Sequence, residues 1–246
     1  MNAVVSHRFI TVREMRAFGE CPWKYGLMTS HVMPAPTATV LWELVGEGFS
    51  ALLRRFLDGF DDADTPASLL DKTFAISVAR HAETIMAYDH ERVEKEVCGC
   101  LVPVAERMME ASAPIDQHMT PGSFIVDFAH RLKGGIPAVV WDDGVPAPVC
   151  LVERLYPEDA VPGPLIAEAM GRGLLCAYAH KTEICGAYLY HLPTGAMTYT
   201  ALESNKERTK ELLAMMRACT ALVPRHESCK ECEYAEKCEH VVTNTK

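Results

Sequence analysis

No run of apolar residues in this sequence reaches the roughly 18 needed to cross a bilayer. Nothing between Met1 and Thr11 has the order of charged, apolar and small residues that marks a secretory signal. The expectation is a soluble chain in a reducing cytoplasm, with no membrane partner. Positive charge is also short: 24 Lys and Arg against 33 Asp and Glu leave a formal net charge of −9. That balance argues against coating nucleic acid by bulk electrostatics, although a local basic groove can coexist with an acidic remainder. Internal repeats, coiled-coil heptads and low-complexity segments are missing. Ten cysteines in 246 residues are too dilute for a disulfide scaffold. Apolar residues are plentiful at 49% of the chain, enough for a substantial core in one large domain or two small ones.

Four of the cysteines stand apart. Cys21 sits in Cys21-Pro22-Trp23-Lys24-Tyr25, and the other end of the chain carries Cys229-x2-Cys232-x5-Cys238. Two thiolates separated by two residues can turn back onto one metal, and a third can close the site from the next turn. The segment from His226 to Cys238 is polar and has no hydrophobic core of its own, so another element must order it. A site built from both ends would be a clasp. Surface thiols are the plain alternative, but free cysteine prefers apolar burial. By ligand type, zinc and a four-iron four-sulfur cluster fit equally well. The remaining Cys98, Cys100, Cys150, Cys176, Cys185 and Cys219 lie mostly in apolar surroundings and read as core packing, with Cys98-Gly99-Cys100 a weak metal signal.

Thr11 and Glu14 form a capping-box pattern, predicting a short helix to about Gly19 that delivers Cys21 at its end, where Pro22 stops it. Apolar residues recur at helical spacing from Thr39 to Leu57, and a second helical region covers much of Pro66 to Ser112, broken near Cys98 to Pro103. After Pro121-Gly122 the pattern changes. Phe124 to Phe128, Ile136 to Trp141 and Val149 to Arg154 read as a three-stranded meander, with Asp142-Asp143-Gly144 as a hairpin turn. A helix from about Pro164 to His180, strands near Ile184 to His191 and Met197 to Leu202, and a helix from about Asn205 to Leu222 follow. The fold class expected is α/β (α+β): a mixed central sheet flanked by helices, a helical N-terminal half and a C-terminal cysteine knuckle. Residues 1–246 would form one domain, with a helical portion over 30–120, a sheet-containing core over 121–222, and a clasp made by 21–27 and 223–240.

This order of parts resembles the iron-sulfur branch of the PD-(D/E)XK nuclease superfamily, which includes the CRISPR-associated adaptation exonucleases and the AddB and RecB-like recombination nucleases. Carrying the resemblance are the helix leading into Cys21 to Leu27, the meander, the following helix, and the terminal segment from Pro224 to Cys238. Gly135-Ile136-Pro137-Ala138-Val139 is also similar to the family's Gly-x-Ile-Asp-x-Val strand. The resemblance implies a nuclease-like fold and tilts the metal towards a four-iron four-sulfur cluster on Cys21, Cys229, Cys232 and Cys238, with one Zn as the alternative. In the family, an Asp on one strand and an acid-x-Lys on the next hold a divalent cation that activates water. Here Pro137 occupies the Asp position, and Glu153 is followed by Leu155 where the Lys belongs. The first helix has no His around Gly46 to Ser50, and Arg172 to Tyr178 has no Gln. Cation-dependent cleavage is therefore not expected, and no catalytic residue is assigned.

A fold of this kind without its chemistry still offers a concave surface for a nucleic-acid strand. The candidate contacts are Arg13, Arg16, Trp23 and Lys24 beside the cluster, Arg131 and Lys133 on the meander, and Lys206, Arg208 and Lys210 on the last helix. Each is otherwise a solvated residue, most plainly on the last helix, where Glu203, Glu207 and Glu211 alternate with the basic positions. The function expected is a non-catalytic nucleic-acid-binding subunit of a prokaryotic CRISPR-type antiviral or DNA-processing complex. Its partners would be DNA or an RNA–DNA complex together with other protein subunits. One alternative is an active metal-dependent exonuclease with a migrated set, Asp127, Asp142, Glu153 and Glu168. Another is a structural or redox-sensing adaptor.

Overall fold

The computed structural model describes residues 8–29, 37–61, 63–80, 89–110, 118–202 and 205–218, together with Cys229, Cys232, Tyr234, Ala235 and Cys238. Among these residues the architecture is mixed α/β, with two sheets and helices packed against them. A two-residue strand, β1 (Ile10–Thr11), leads into helix α1 (Val12–Glu20). The capping box expected there is formed: the Glu14 N–H donates to Thr11 Oγ1 at 3.2 Å, and the Thr11 N–H donates to the Glu14 carboxylate at 2.8 Å. The cap Cys21 closes α1 through its own N–H, which donates to the Ala17 carbonyl at 2.9 Å.

As expected, α1 stops before Pro22: Cys21 is extended, at φ −159° and ψ 117°, the conformation that a following proline favours. Pro22 also opens a second helix, α2 (Pro22–Thr29), at the first helical position, where a missing N–H costs nothing and a fixed φ suits the turn. Helices α3 (Thr37–Asp58), α4 (Pro66–Arg80) and α5 (His90–Glu110) follow. The break expected between Cys98 and Pro103 is absent, because α5 runs through Pro103. An interior proline costs about 3 kcal/mol, but Val97, Leu101, Val104, Ala105 and Met108 on the same helix are all buried. The Val, Leu and Met side chains each contribute about 1.5–3 kcal/mol on burial, and together they outweigh the proline.

The expected meander is divided between two sheets. Strand β2 (Met119–Pro121) pairs with β5 (Ala138–Asp142), whereas β3 (Phe124–Asp127) pairs with β4 (Leu132–Gly135), which in turn lies parallel to β1. The sequence hid β4 because Lys133-Gly134-Gly135 has none of the β-branched or aromatic residues that mark strands. Strand β6 (Val145–Val152) completes the hairpin with β5, and Asp143 (φ 47°) and Gly144 (φ 79°) supply the left-handed pair that the turn needs. Helix α6 (Gly163–His180) then crosses over to β7 (Gly186–His191), parallel to β6, and β8 (Met197–Ala201) closes the sheet in the order β2-β5-β6-β7-β8. The last described helix is α7 (Asn205–Ala218). The expected extension of this helix to Leu222 lies outside the described residues.

Alternation along β6 sorts the core. Val149 and Leu151 join the cluster made with α3, α4 and α5, while Cys150 and Val152 pack towards α6. A third cluster links α1, α2, β4, α6 and α7. The sheets meet at Gly122, whose N–H donates to the Pro137 carbonyl at 3.1 Å. A Cβ there would stand 1.8 Å from the Ile136 oxygen, so the position accepts only glycine.

Candidate nucleic-acid interface and cysteine site

Between α1, α2, α3, α6 and the ends of β5 and β6 lies a cavity of about 120 Å3. Gly46, Pro137 and Leu151 form its apolar floor, and Trp42 and Met28 stand at its walls. Four cations line it, Arg13, Arg16, Lys24 and Arg172, against two carboxylates, Glu20 and Glu168, an excess of two positive charges. Helical spacing explains the set. Arg13, Arg16 and Glu20 recur three and four apart along α1, and Glu168 and Arg172 are one turn apart on α6.

Glu168 is the buried anchor of this cluster at 5% exposure. Its carboxylate takes Arg16 Nη1 at 3.0 Å on one oxygen and Arg172 Nη2 at 2.7 Å on the other. Burial alone would push its pKa up, but the charges of Arg172 and Arg16 outweigh it and hold Glu168 down to about 2. The same carboxylates, Glu168 and Glu20, raise the Arg16 guanidinium above its ordinary value against the effect of burial. Arg13 is different. Burial, with Arg172 and Arg16 nearby, lowers it to about 10 despite its ion pair with Glu43 at 3.1 Å. Among the described residues its Nη2 is buried with no hydrogen-bond acceptor. Lys24 Nζ pairs with Glu20 at 2.6 Å, so that carboxylate is shared between Lys24 and Arg16. An anion entering the cavity would meet an unsatisfied donor on Arg13 and a positive field from its neighbours.

Three of the expected contacts, Arg13, Arg16 and Lys24, thus come together. Trp23, half-buried on α2, does not line the cavity. Arg131 lies exposed in the turn after β3 and Lys133 half-buried on β4, forming a second group. On α7, Arg208 is exposed and Lys210 pairs with Glu207 at 2.7 Å, the solvated arrangement that the alternating charges indicated. The side chain of Lys206 lies outside the described residues. Sequence reasoning missed Arg172 and Trp42. The Glu168–Arg172 spacing was a usable signal, but no sequence pattern joined Trp42 of α3 to residues of α1.

The migrated carboxylates do not converge. Asp127 is fully buried rather than solvent-facing, because its register partner Leu132 lies on the inner side of the small sheet. Its two oxygens take the His130 N–H at 3.0 Å and meet His130 Nδ1 at 2.6 Å, which closes the turn. Asp142 pairs with Val145 at the hairpin end. Glu153 is exposed beyond the end of β6, 3.8 Å from the Cys100 sulfur. The residue of β6 that shares the cavity with Pro137 is Leu151, two positions before Glu153. Among the described residues no three His, Cys, Asp or Glu side chains are gathered so as to hold a metal ion.

The cysteine site is described in part. Cys21 is buried at the corner between α1 and α2, and Cys229, Cys232 and Cys238 are half-buried. The Cys232 N–H donates to the Cys229 carbonyl at 3.3 Å, which forms the turn expected of a two-residue spacing. Burial pushes the Cys232 thiol up; a backbone hydrogen bond from Tyr234 and the charge of Lys24 act against that, while Cys21 and Cys238 are close enough for their charges to reinforce it. A set of thiol donors fits a soft or borderline metal such as zinc or iron. The two ends of the chain also meet away from the cysteines: the buried Tyr25 hydroxyl donates to the Met216 carbonyl of α7 at 3.3 Å.

Compared with known proteins, the chain matches no family model. No curated protein matches it either. Among the described residues, no helix is long and apolar enough to cross a membrane.

Proposed function

We propose that this chain is a non-catalytic nucleic-acid-binding subunit of a prokaryotic CRISPR-type or DNA-processing nucleoprotein complex, with a nuclease-like fold held by a four-cysteine iron-sulfur or zinc site. The observation that carries the reading is the cavity itself. Pro137, where the resembling nucleases place an Asp, and Gly46, in the helix where they carry a His, line the same cavity as Arg13, Arg16, Lys24 and Arg172. A cation site needs converging oxygen donors, whereas this cavity has an excess of guanidinium and ammonium groups suited to a phosphate. The crossover of α6 from β6 to the parallel strand β7, in a mixed sheet flanked by helices, also supports the nuclease-like fold. Cys21, Cys229, Cys232 and Cys238 would hold the metal, which would supply folding energy rather than chemistry.

The test is DNA binding by fluorescence anisotropy across a salt series, with a nuclease assay in magnesium or manganese on the same preparation. Binding without cleavage is expected. The double substitution Arg13→Ala with Lys24→Ala is expected to flatten the dependence of log affinity on log salt by about 1.4–1.8, at roughly 0.7–0.9 per lost phosphate contact. Absence of binding, or cleavage lost in Glu168→Gln, would overturn the reading.

A further inference from the structure

We infer that the outer face of the three-stranded sheet is a base-stacking platform for a single-stranded nucleic acid whose phosphate enters the arginine cavity. This inference rests on the function proposed above. Strand β3 is the edge of its sheet. Its inner side is buried against α1 and α6 through Asp127 and its partner Leu132, both 0% exposed. The outer side is open: Phe124 is 64% exposed, and Phe128, just past the strand, is 71% exposed. Phe128 is held edge-on against Phe9, with centroids 5.3 Å apart and planes at 89°, so its ring is positioned rather than free to swing.

Basic residues interleave with these rings. Lys133 is the register partner of Val126, midway between the two phenylalanines, and Arg131 lies in the turn that joins β3 to β4. Arg131 is also close enough to Arg217 to lower that guanidinium further below its ordinary value, burial being the larger cause. This local positive field, in a chain of net charge −9, complements a polyanion. Exposed aromatics among Lys and Arg form the surface that single strands use, since unpaired bases stack on the rings while the backbone follows the cations.

One hydrogen bond ties the platform to the cavity wall. Gly135 is the register partner of Phe124, and its carbonyl accepts from Arg172, which lines the cavity. A Cβ at Gly135 would meet nothing within 4 Å, so the outer face beside Phe124 is open. From Phe124 to Phe128 is roughly 13 Å of extended chain, enough to separate two stacked bases.

The test compares a fluorescein-labelled oligo(dT) of about 12 nucleotides, within the site sizes usual for single-strand binders, with a duplex of equal length. Phe124→Ala and Phe128→Ala are each expected to weaken oligo(dT) binding roughly 5- to 100-fold. Duplex affinity, melting temperature and salt slope should stay unchanged, and Phe128→Tyr should restore binding. Oligo(dT) affinity unchanged in both alanine variants, with loss only in the Arg13→Ala, Lys24→Ala protein, would overturn the platform and leave the proposed function standing. The exposed rings would then serve a protein partner. Equal loss for oligo(dT) and duplex would overturn single-strand stacking. Failure of the unsubstituted protein to bind either probe would overturn the platform and the function together.

Discussion

Glu168→Ala is expected to destabilise the protein by about 3–5 kcal/mol in chemical denaturation at neutral pH. That is the usual cost of removing one partner from a buried ion pair and leaving the other without compensation. Arg16 and Arg172 both rely on this carboxylate, and Arg172 is 13% exposed at its side chain, with little access to solvent. The same group predicts an acid limb. Folding lowers Glu168 from 4.5 to about 2, so the folded state binds this proton less tightly than the unfolded chain does. The resulting stability, roughly 3 kcal/mol, is complete above about pH 4.5 and is lost as pH falls from there towards 2. Glu168→Gln should remove this part of the acid limb while keeping the shape of the side chain and one of its two acceptor oxygens. A loss below 1 kcal/mol for the alanine variant, with an unchanged acid limb for the glutamine variant, would show that the cluster does not organise the cavity.

The second large effect concerns the clasp. Anaerobically purified protein is expected to contain iron and absorb visible light, and Cys21→Ser is expected to lose most of that metal and melt roughly 5–10 °C lower. Metal binding to a site absent from the unfolded chain contributes directly to folding, and a few kcal/mol shift a chain of this size by that much. Cys21 also caps α1 through its N–H, and its backbone carbonyl accepts from the Tyr25 N–H at 3.2 Å; both bonds are main-chain and survive the substitution, so the variant reports on the thiolate. Cys21→Ala with a native melting temperature and full metal content would refute the clasp. Zinc in place of iron would keep the clasp but weaken the resemblance to the iron-sulfur nucleases.

Much of the fold was legible because its signals are local. The capping box at Thr11 and Glu14, the apolar periodicity of α3, and the Asp-Asp-Gly turn each depend on residues a few positions apart. The failures have a common cause. Strand β4 is Lys and Gly rich and exists because β1 and β3 pair with it on either side. Helix α5 continues through Pro103 because of packing partners on α3 and α4. Asp127 and Glu153, on comparable strand segments, ended in opposite surroundings, one fully buried and one exposed. Sequence alternation gives two faces but not which face another layer will cover.

The sequence by itself determined the absence of a long apolar span, the mixed helix and strand content, the paired cysteine segments, and the lack of an acid-x-lysine pattern, all of which follow from residue identity and spacing along the chain. Only the tertiary structure decided that Arg13, Arg16, Lys24 and Arg172 share one cavity, that Leu151 rather than Glu153 faces it, and that Phe124 and Phe128 remain uncovered. Those facts depend on α1, α2, α3, α6 and the sheets meeting in space, and a site assembled from elements so far apart along the chain leaves no contiguous pattern to read.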